Sequence, residues 1–220
     1  MHTDLVRFPF FRPRPRKPEP AAVVAPRRGS PAEVWLGRSE KAVRSLGDLG
    51  HSIQPGPTAD QLVDIQLRAT SSLDSVRRIA GQVTLVDQAI ARIPSPALTE
   101  RRARLAGQLA AGGSDELRVS QEQAVADIDA QLASDVRLRS TRDALLARME
   151  AAAVGLEGLV ARAAEASTMA EASTPDLAAG EIGELAAELD GLRAGLAETE
   201  QLSRGALGGP ANPPFPPGAV

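Results

Sequence analysis

Glu181, Glu184 and Glu188 recur at helical spacing on one face of a C-terminal segment. Carboxylates so placed are the raw material of general acid–base chemistry on a helix. Such chemistry also needs a partner that moves a pKa, and no histidine or buried polar residue accompanies these three. They read instead as a solvated face whose charge suits the positive end of a helix. The chain has two histidines, His2 and His51, and neither cysteine nor tyrosine. Disulfides, thiolate metal sites and cysteine nucleophiles are thereby excluded. His51 stands in a Pro/Gly-rich stretch without the Glu-x-x-His spacing of a carboxylate-bridged metal bundle. The serines and threonines lack a histidine in triad-like context. Gly112-Gly113-Ser114 lacks both the Lys-Ser/Thr ending and the preceding strand of a phosphate loop, and reads as a turn between helices. Gly191 and Gly195 have the spacing that lets two helices approach closely. No catalytic, cofactor-binding or metal-ligating residue is assigned.

The residues that do stand out lie in an N-terminal leader, whose first reading is a solubilising tail without a fixed partner. Three of the four phenylalanines, Phe8, Phe10 and Phe11, fall in VRFPFFRPRPRKPEP (6–20), among Arg7, Arg12, Arg14, Arg16 and Lys17. The prolines there remove backbone donors and disfavour helix, so these aromatics belong to a disordered leader over 1–29. Three readings of it are open. The phenylalanines could enter a bilayer interface while the arginines meet anionic lipid. They could stack on bases with arginine on phosphate. Or the leader is a spacer, or a ligand for an acidic helix such as the last one. The sequence as a whole carries −3, yet residues 1–29 hold seven basic residues against Asp4 and Glu19. An acidic body repels phosphates, which ranks membrane above nucleic acid. No apolar run is long enough to span a bilayer, and no apolar segment follows the basic N-terminus as in a secretory signal. A cytoplasmic protein, peripheral to the inner membrane face in the membrane reading, is expected.

What must carry these residues is helical. Aromatics are 2% of the chain and the apolar content is Ala, Leu, Val and Ile, which suits interdigitating helix seams. Ser30-Pro31-Ala32-Glu33 is a helix start with a capping box and proline at the first position, and opens a helix over 30–49. Trp35 is its expected core anchor. Thr58-Ala59-Asp60-Gln61 is a second capping box. After it, Leu62, Ala69, Val76, Val83 and Ile90 fall seven apart, as do Ile65, Ser72, Ile79, Val86 and Ile93. These are the a and d positions of a heptad seam over 58–93, ended by Pro94. Helices follow over 96–111, 114–172 and 175–207. The stripe of the fourth is Val125, Ile128, Leu132 and Val136, then Leu146, Met149, Ala153, Leu156 and Val160. Asp135, Arg139 and Arg142 interrupt it, so a change of partner or a bend is predicted at 135–145. The fifth carries Ile182, Leu185, Leu189, Leu192 and Leu196. Turns at 94–96, 112–114 and 173–175 are read as hairpins. Residues 208–220 form a Pro/Gly-rich disordered tail.

The predicted fold is all-α: an elongated antiparallel helical bundle or set of coiled-coil hairpins over 30–207, with disordered proline-rich termini. At the heptad seam and at LRSTRDALLARMEAAAVGLEGLVAR (138–162) the chain resembles a group of uncharacterised actinobacterial helical proteins. In its long-hairpin architecture it is similar to the phage-shock protein A family, and that likeness implies a stress protein assembling on anionic membranes. It departs from that family at residues 6–20, which cannot form the family's N-terminal amphipathic helix. No residue role is carried over. The expected function is that of a non-enzymatic scaffold or adaptor, working through protein contacts of its body and tails, with self-association open and the protein partner undefined. A peripheral membrane protein held by its leader is the alternative, and an enzyme comes third.

Overall fold

A computed structural model describes residues 24–52, 57–171 and 175–207. Among them are five helices and no strand: α1 (Pro31–Ser52), α2 (Pro57–Ala91), α3 (Ser95–Ala111), α4 (Asp115–Glu171) and α5 (Pro175–Leu207). Residues 1–23 of the predicted leader 1–29, residues 173 and 174 of the predicted 173–175 hairpin turn and the tail 208–220 lie outside the described residues.

Capping chemistry starts α1. The Glu33 N–H donates to Ser30 Oγ at 3.2 Å, and Glu33 Oε2 accepts from the Gly29 N–H at 2.5 Å. The reciprocal box is thus closed one residue earlier than its usual form. The helix continues past Gly47 to Ser52, beyond the end its glycines suggest. The reason is packing: Gly47 is buried, and a Cβ there would meet Gln66 Nε2 of α2 at 2.6 Å. The lost helix propensity of glycine is offset by a close helix approach. α2 starts at Pro57, one residue before the predicted capping box. Proline fits that first helical position, where its missing N–H costs nothing.

α1, α2, α4 and α5 form a four-helix body in which α1 and α5 flank α2 and α4 without touching each other. Two core clusters stack along it. One joins Leu46, Leu62, Ile65, Leu156, Leu159, Ile182, Leu185 and Leu189, and the other joins Ala32, Val76, Ile79, Leu145, Met149 and Leu196. The α2 seam is buried from Leu62 through Ile90, and Ile93 is half-buried. Each aliphatic side chain so buried contributes about 1.5–3 kcal/mol before entropy is counted. Ser72, the polar exception in the seam, is fully buried and donates to the Arg68 carbonyl at 3.2 Å. Ser39, Ser167 and Thr199 close the same i−4 bond on their own helices, so hydroxyls enter this core with their hydrogen bonds made.

Trp35 is a partial anchor. It is half-buried against the second cluster, and the Arg38 guanidinium lies 4.8 Å from the ring centroid. Arginine over an indole face shields what the core leaves open.

The 94–96 turn is not a hairpin. α3 packs on α4 and does not touch α2. Bonds from the Arg92 N–H to the Ala89 carbonyl and from the Ile93 N–H to the Ile90 carbonyl tighten the end of α2. The chain breaks at Pro94 and resumes onward. Ties to α4 record the direction: Asp87 faces Arg142 at 3.9 Å, Arg102 meets Asp129 at 2.5 Å, and Gln108 meets Gln121 at 3.3 Å. As α2 and then α3 advance, α4 is met at ever earlier residues. After α3 the chain reverses at Gly112, whose φ of 83° ends α3 and whose N–H reaches the Leu109 carbonyl. The molecule is therefore a four-helix body extended by a two-helix arm, α3 with residues 115–134 of α4. At about 1.5 Å per residue α4 is roughly 85 Å long and belongs to both parts.

Candidate interaction surface

The sequence-predicted contact residues, Phe8, Phe10, Phe11, Arg7, Arg12, Arg14, Arg16 and Lys17, all lie outside the described residues. Several charged side chains of the described residues bridge neighbouring helices. Each side of the body carries one arginine–carboxylate bridge: Arg77 to Glu40 across α1 and α2, Arg38 to Glu157 across α1 and α4, Arg68 to Asp190 across α2 and α5, and Arg162 to Glu188 across α4 and α5. Glu188 is therefore in an ion pair, while Glu184 is exposed and Glu181 half-buried. The suggested carboxylate face does not converge on a site. Partly exposed pairs like these contribute about 0–1 kcal/mol each and chiefly fix register.

An open cleft of about 350 Å³ between α1 and α4 is lined by Arg38, Lys41, Ala42, Ser45, Glu157, Val160 and Ala161. Its charged floor is a two-point bond, Arg38 Nε to Glu157 Oε1 at 2.8 Å and Nη2 to Oε2 at 2.5 Å. The Arg38 bond holds the Glu157 carboxyl below its ordinary pKa against the opposing push of burial, and Glu157 raises Arg38 in return. Both groups are locked in their charged forms, which suits a strut and not a proton shuttle. His51 donates from Nδ1 to the Gly47 carbonyl of its own helix. Among the described residues no three His, Cys, Asp or Glu side chains group as metal ligands would, and no helix is long and apolar enough to cross a membrane.

Close helix approach occurs elsewhere than the paired glycines suggest. A Cβ on Gly191 would meet nothing within 4 Å and one on Gly195 only the end of Arg148, whereas one on Gly155 would meet Leu192 Cδ1 at 3.1 Å. Gly155 of α4 is where α5 comes near, and no repeat in the sequence marks it.

The joint between arm and body is polar. Asp135 is 6% exposed, and its Oδ2 accepts from Arg139 Nε at 2.9 Å. Its Oδ1 is buried without a hydrogen-bond partner. The Arg139 bond holds the carboxyl below its ordinary pKa although burial pushes it up. Here α4 exchanges α3 for α2 as its neighbour, inside the predicted 135–145 window.

Beyond the joint the arm is open. α3 has no buried residue, and Leu98, Leu105 and Leu109 are half-buried against α4. On α4, Ile128 is buried and Val125 and Leu132 are half-buried. Val119 and Val136 are 61% and 65% exposed. Val136, placed on the seam by its spacing, is off it. Two helices cover one side of each other's seam, while a bundle closes around it. The arm is thus the part of the described molecule with the least internal packing. No protein-family model, curated protein or solved structure matches the chain.

Proposed function

We propose that the protein is a non-enzymatic helical scaffold or adaptor whose α3–α4 arm is its principal protein-contact surface. One observation carries this reading: the arm extends a well-packed body by two helices that leave their apolar seam half-open, α3 burying no residue and residues 115–134 of α4 burying Ile128 alone. Aliphatic surface displayed on a thin projection favours contact with another protein's helices. The body supports the reading by contrast. Its core is closed and its interhelix charges are neutralised in pairs, so it supplies rigidity to the arm and little chemistry of its own.

The test is site-specific photocrosslinking of the full chain in its native cells. A photoreactive residue at Leu117 or Val119, both exposed on the arm, is expected to give discrete protein adducts. The same residue at Val63 or Val154, exposed on the body, is expected to give few. Equal adducts from both regions, or none from the arm, would refute the assignment.

A further inference from the structure

α4 keeps a seven-residue register from the body into the arm. Met149 packs with Val76 and Ile79 of α2, Arg142 faces Asp87, Ile128 is buried in the arm, and Gln121 meets Gln108 of α3. Residues at this spacing hold one direction along a supercoiled pair, here toward α2 and then α3. The register one position later faces the side on which α1 lies. Glu157 accepts from Arg38 of α1 there, and Glu150 adds its charge to the hold on Arg38. Toward the tip the same register continues as Asp143, Val136, Asp129, Glu122 and Asp115.

α1 covers the part of this register inside the body and begins where Ala32 packs with Leu145 and Met149. Beyond that level the carboxylates are accessible. Asp143, Asp129 and Asp115 have arginine neighbours, yet 65%, 45% and 96% of their side-chain surface stays open. Glu122 is exposed. Val125 and Leu132 stand three residues from Glu122 and Asp129, beside the register and half-buried. An acidic stripe edged with aliphatic side chains thus starts at the level where the chain enters α1. The sequence that leads into α1 is basic and aromatic, with Arg7, Arg12, Arg14, Arg16 and Lys17 around Phe8, Phe10 and Phe11. From Val24 back to Phe11, a proline-rich chain at about 3.1 Å per residue reaches about 40 Å. From Leu145 to Glu122, α4 at about 1.5 Å per residue spans about 35 Å.

We propose that this leader is the occupant of the arm's α1 side: residues 7–17 run along α4 between Asp143 and Asp115, with the basic side chains on the carboxylates and the phenylalanines over Val125, Leu132 and Val136. Arg38 and Lys41 act on Glu157 of the same register within the body, and the leader extends that pairing into the arm. The proposal rests on the reading of the arm as a contact surface and gives one of its sides to the chain itself. Leu117 and Val119 are left for other proteins.

The experiment uses the full chain with the photoreactive p-benzoylphenylalanine in place of Phe10, diluted until sedimentation velocity shows a monomer. After irradiation, mass spectrometry maps the joined peptides. Adducts within the chain are expected to concentrate on residues 115–143 and to fall as salt is raised. Glu122→Arg/Asp143→Arg should lower them about fivefold or more, as the loss of two charge contacts implies. Glu116→Arg/Asp127→Arg makes the same change of charge at exposed positions on the opposite side of α4, and should leave them unchanged. Far-UV circular dichroism checks folding. If a reversal loses helicity, Glu122→Gln/Asp143→Asn against Glu116→Gln/Asp127→Asn carries the comparison. Adducts spread evenly over the chain, or centred on α5, overturn the proposal. So does an equal response to the two reversals. Adducts that form only with phosphatidylglycerol vesicles, and then to lipid, would assign the leader to a membrane and overturn it as well. Protein adducts at Leu117 or Val119 in cells without leader adducts on the arm would remove the strap and keep the contact surface. Leader adducts on the arm without protein adducts in cells would keep the strap and remove the scaffold reading.

Discussion

The two ends of α4 have similar sequence texture and different fates. From Leu145 to Ala166 it buries Leu145, Met149, Ala152, Ala153, Leu156, Leu159, Ala163 and Ala166 to 2% exposure or less. From Asp115 to Ser134 it buries Ile128 alone. Both ends carry aliphatic residues at helical intervals and charges between them. The first end has α1, α2 and α5 around it, and the second has α3. What a seam residue buries is decided by the number of neighbours, and stability follows burial. Part of this long helix is core, and part is left for contact.

That contrast can be broken most severely from inside the body. Ile79→Asp places a charge at a fully buried position between α2 and α4. An unpaired buried carboxylate costs several kcal/mol, so loss of most helicity, or a melt shifted far down, is expected by circular dichroism. An unchanged melt would remove residue 79 from the core. Next in size is Leu156→Ala, at 0% exposure in the first cluster. Urea unfolding should show a loss of about 3 kcal/mol, within the range for a buried leucine truncation. Its counterpart in the arm is Leu105→Ala, at a half-buried position. There the expected loss is about 1 kcal/mol or less, because part of that surface already meets water. Equal costs at 105 and 156 would erase the distinction between arm and body.

The smallest effect concerns the joint. The folded Asp135 carboxyl lies below its ordinary pKa, chiefly through Arg139. It therefore binds a proton less readily folded than unfolded. The stability it confers is fully present above the unfolded value of about 3.9 and is lost as pH falls through the folded value. Asp135→Asn should flatten the acid limb of the stability–pH curve below about pH 4 and leave its slope at neutral pH unchanged. A variant whose acid limb matches the parent would show that Asp135 is not held by Arg139.

The parts that the sequence made legible follow from the same physics. The α2 seam was readable because nine residues from Leu62 to Ile90 keep one spacing and are all buried, including Ser72, whose hydroxyl closes a local bond. The partner change in α4 was readable because Asp135, Arg139 and Arg142 replace aliphatics where a continuous seam would need them. The width of the second α4 stripe was not readable. Leu145, Ala152 and Leu159 fall beside the expected line and are buried because three helices, and not one, converge there. The path after α2 was not readable either. Pro94 announces a stop, but whether α3 turns back or runs on is settled by contacts with α4, a helix that begins twenty residues later. The arm was missed as a surface for that reason, since nothing local in SPALTERRARLAGQLAA says that it meets α4 alone. Its charge pattern, arginine-rich before Gly112 and carboxylate-rich after it, was the available signal.

The most direct measurement is residue-resolved hydrogen–deuterium exchange on the full chain, diluted to the point where sedimentation shows a monomer. The amides of α3, from Leu98 to Leu109, are expected to exchange through local opening many times faster than those of α2 from Leu62 to Ile90, which should require opening of the body. Protection of α3 equal to that of α2 in the monomer would mean that the arm is as well packed as the body. The division between a closed core and an open contact surface would then be wrong.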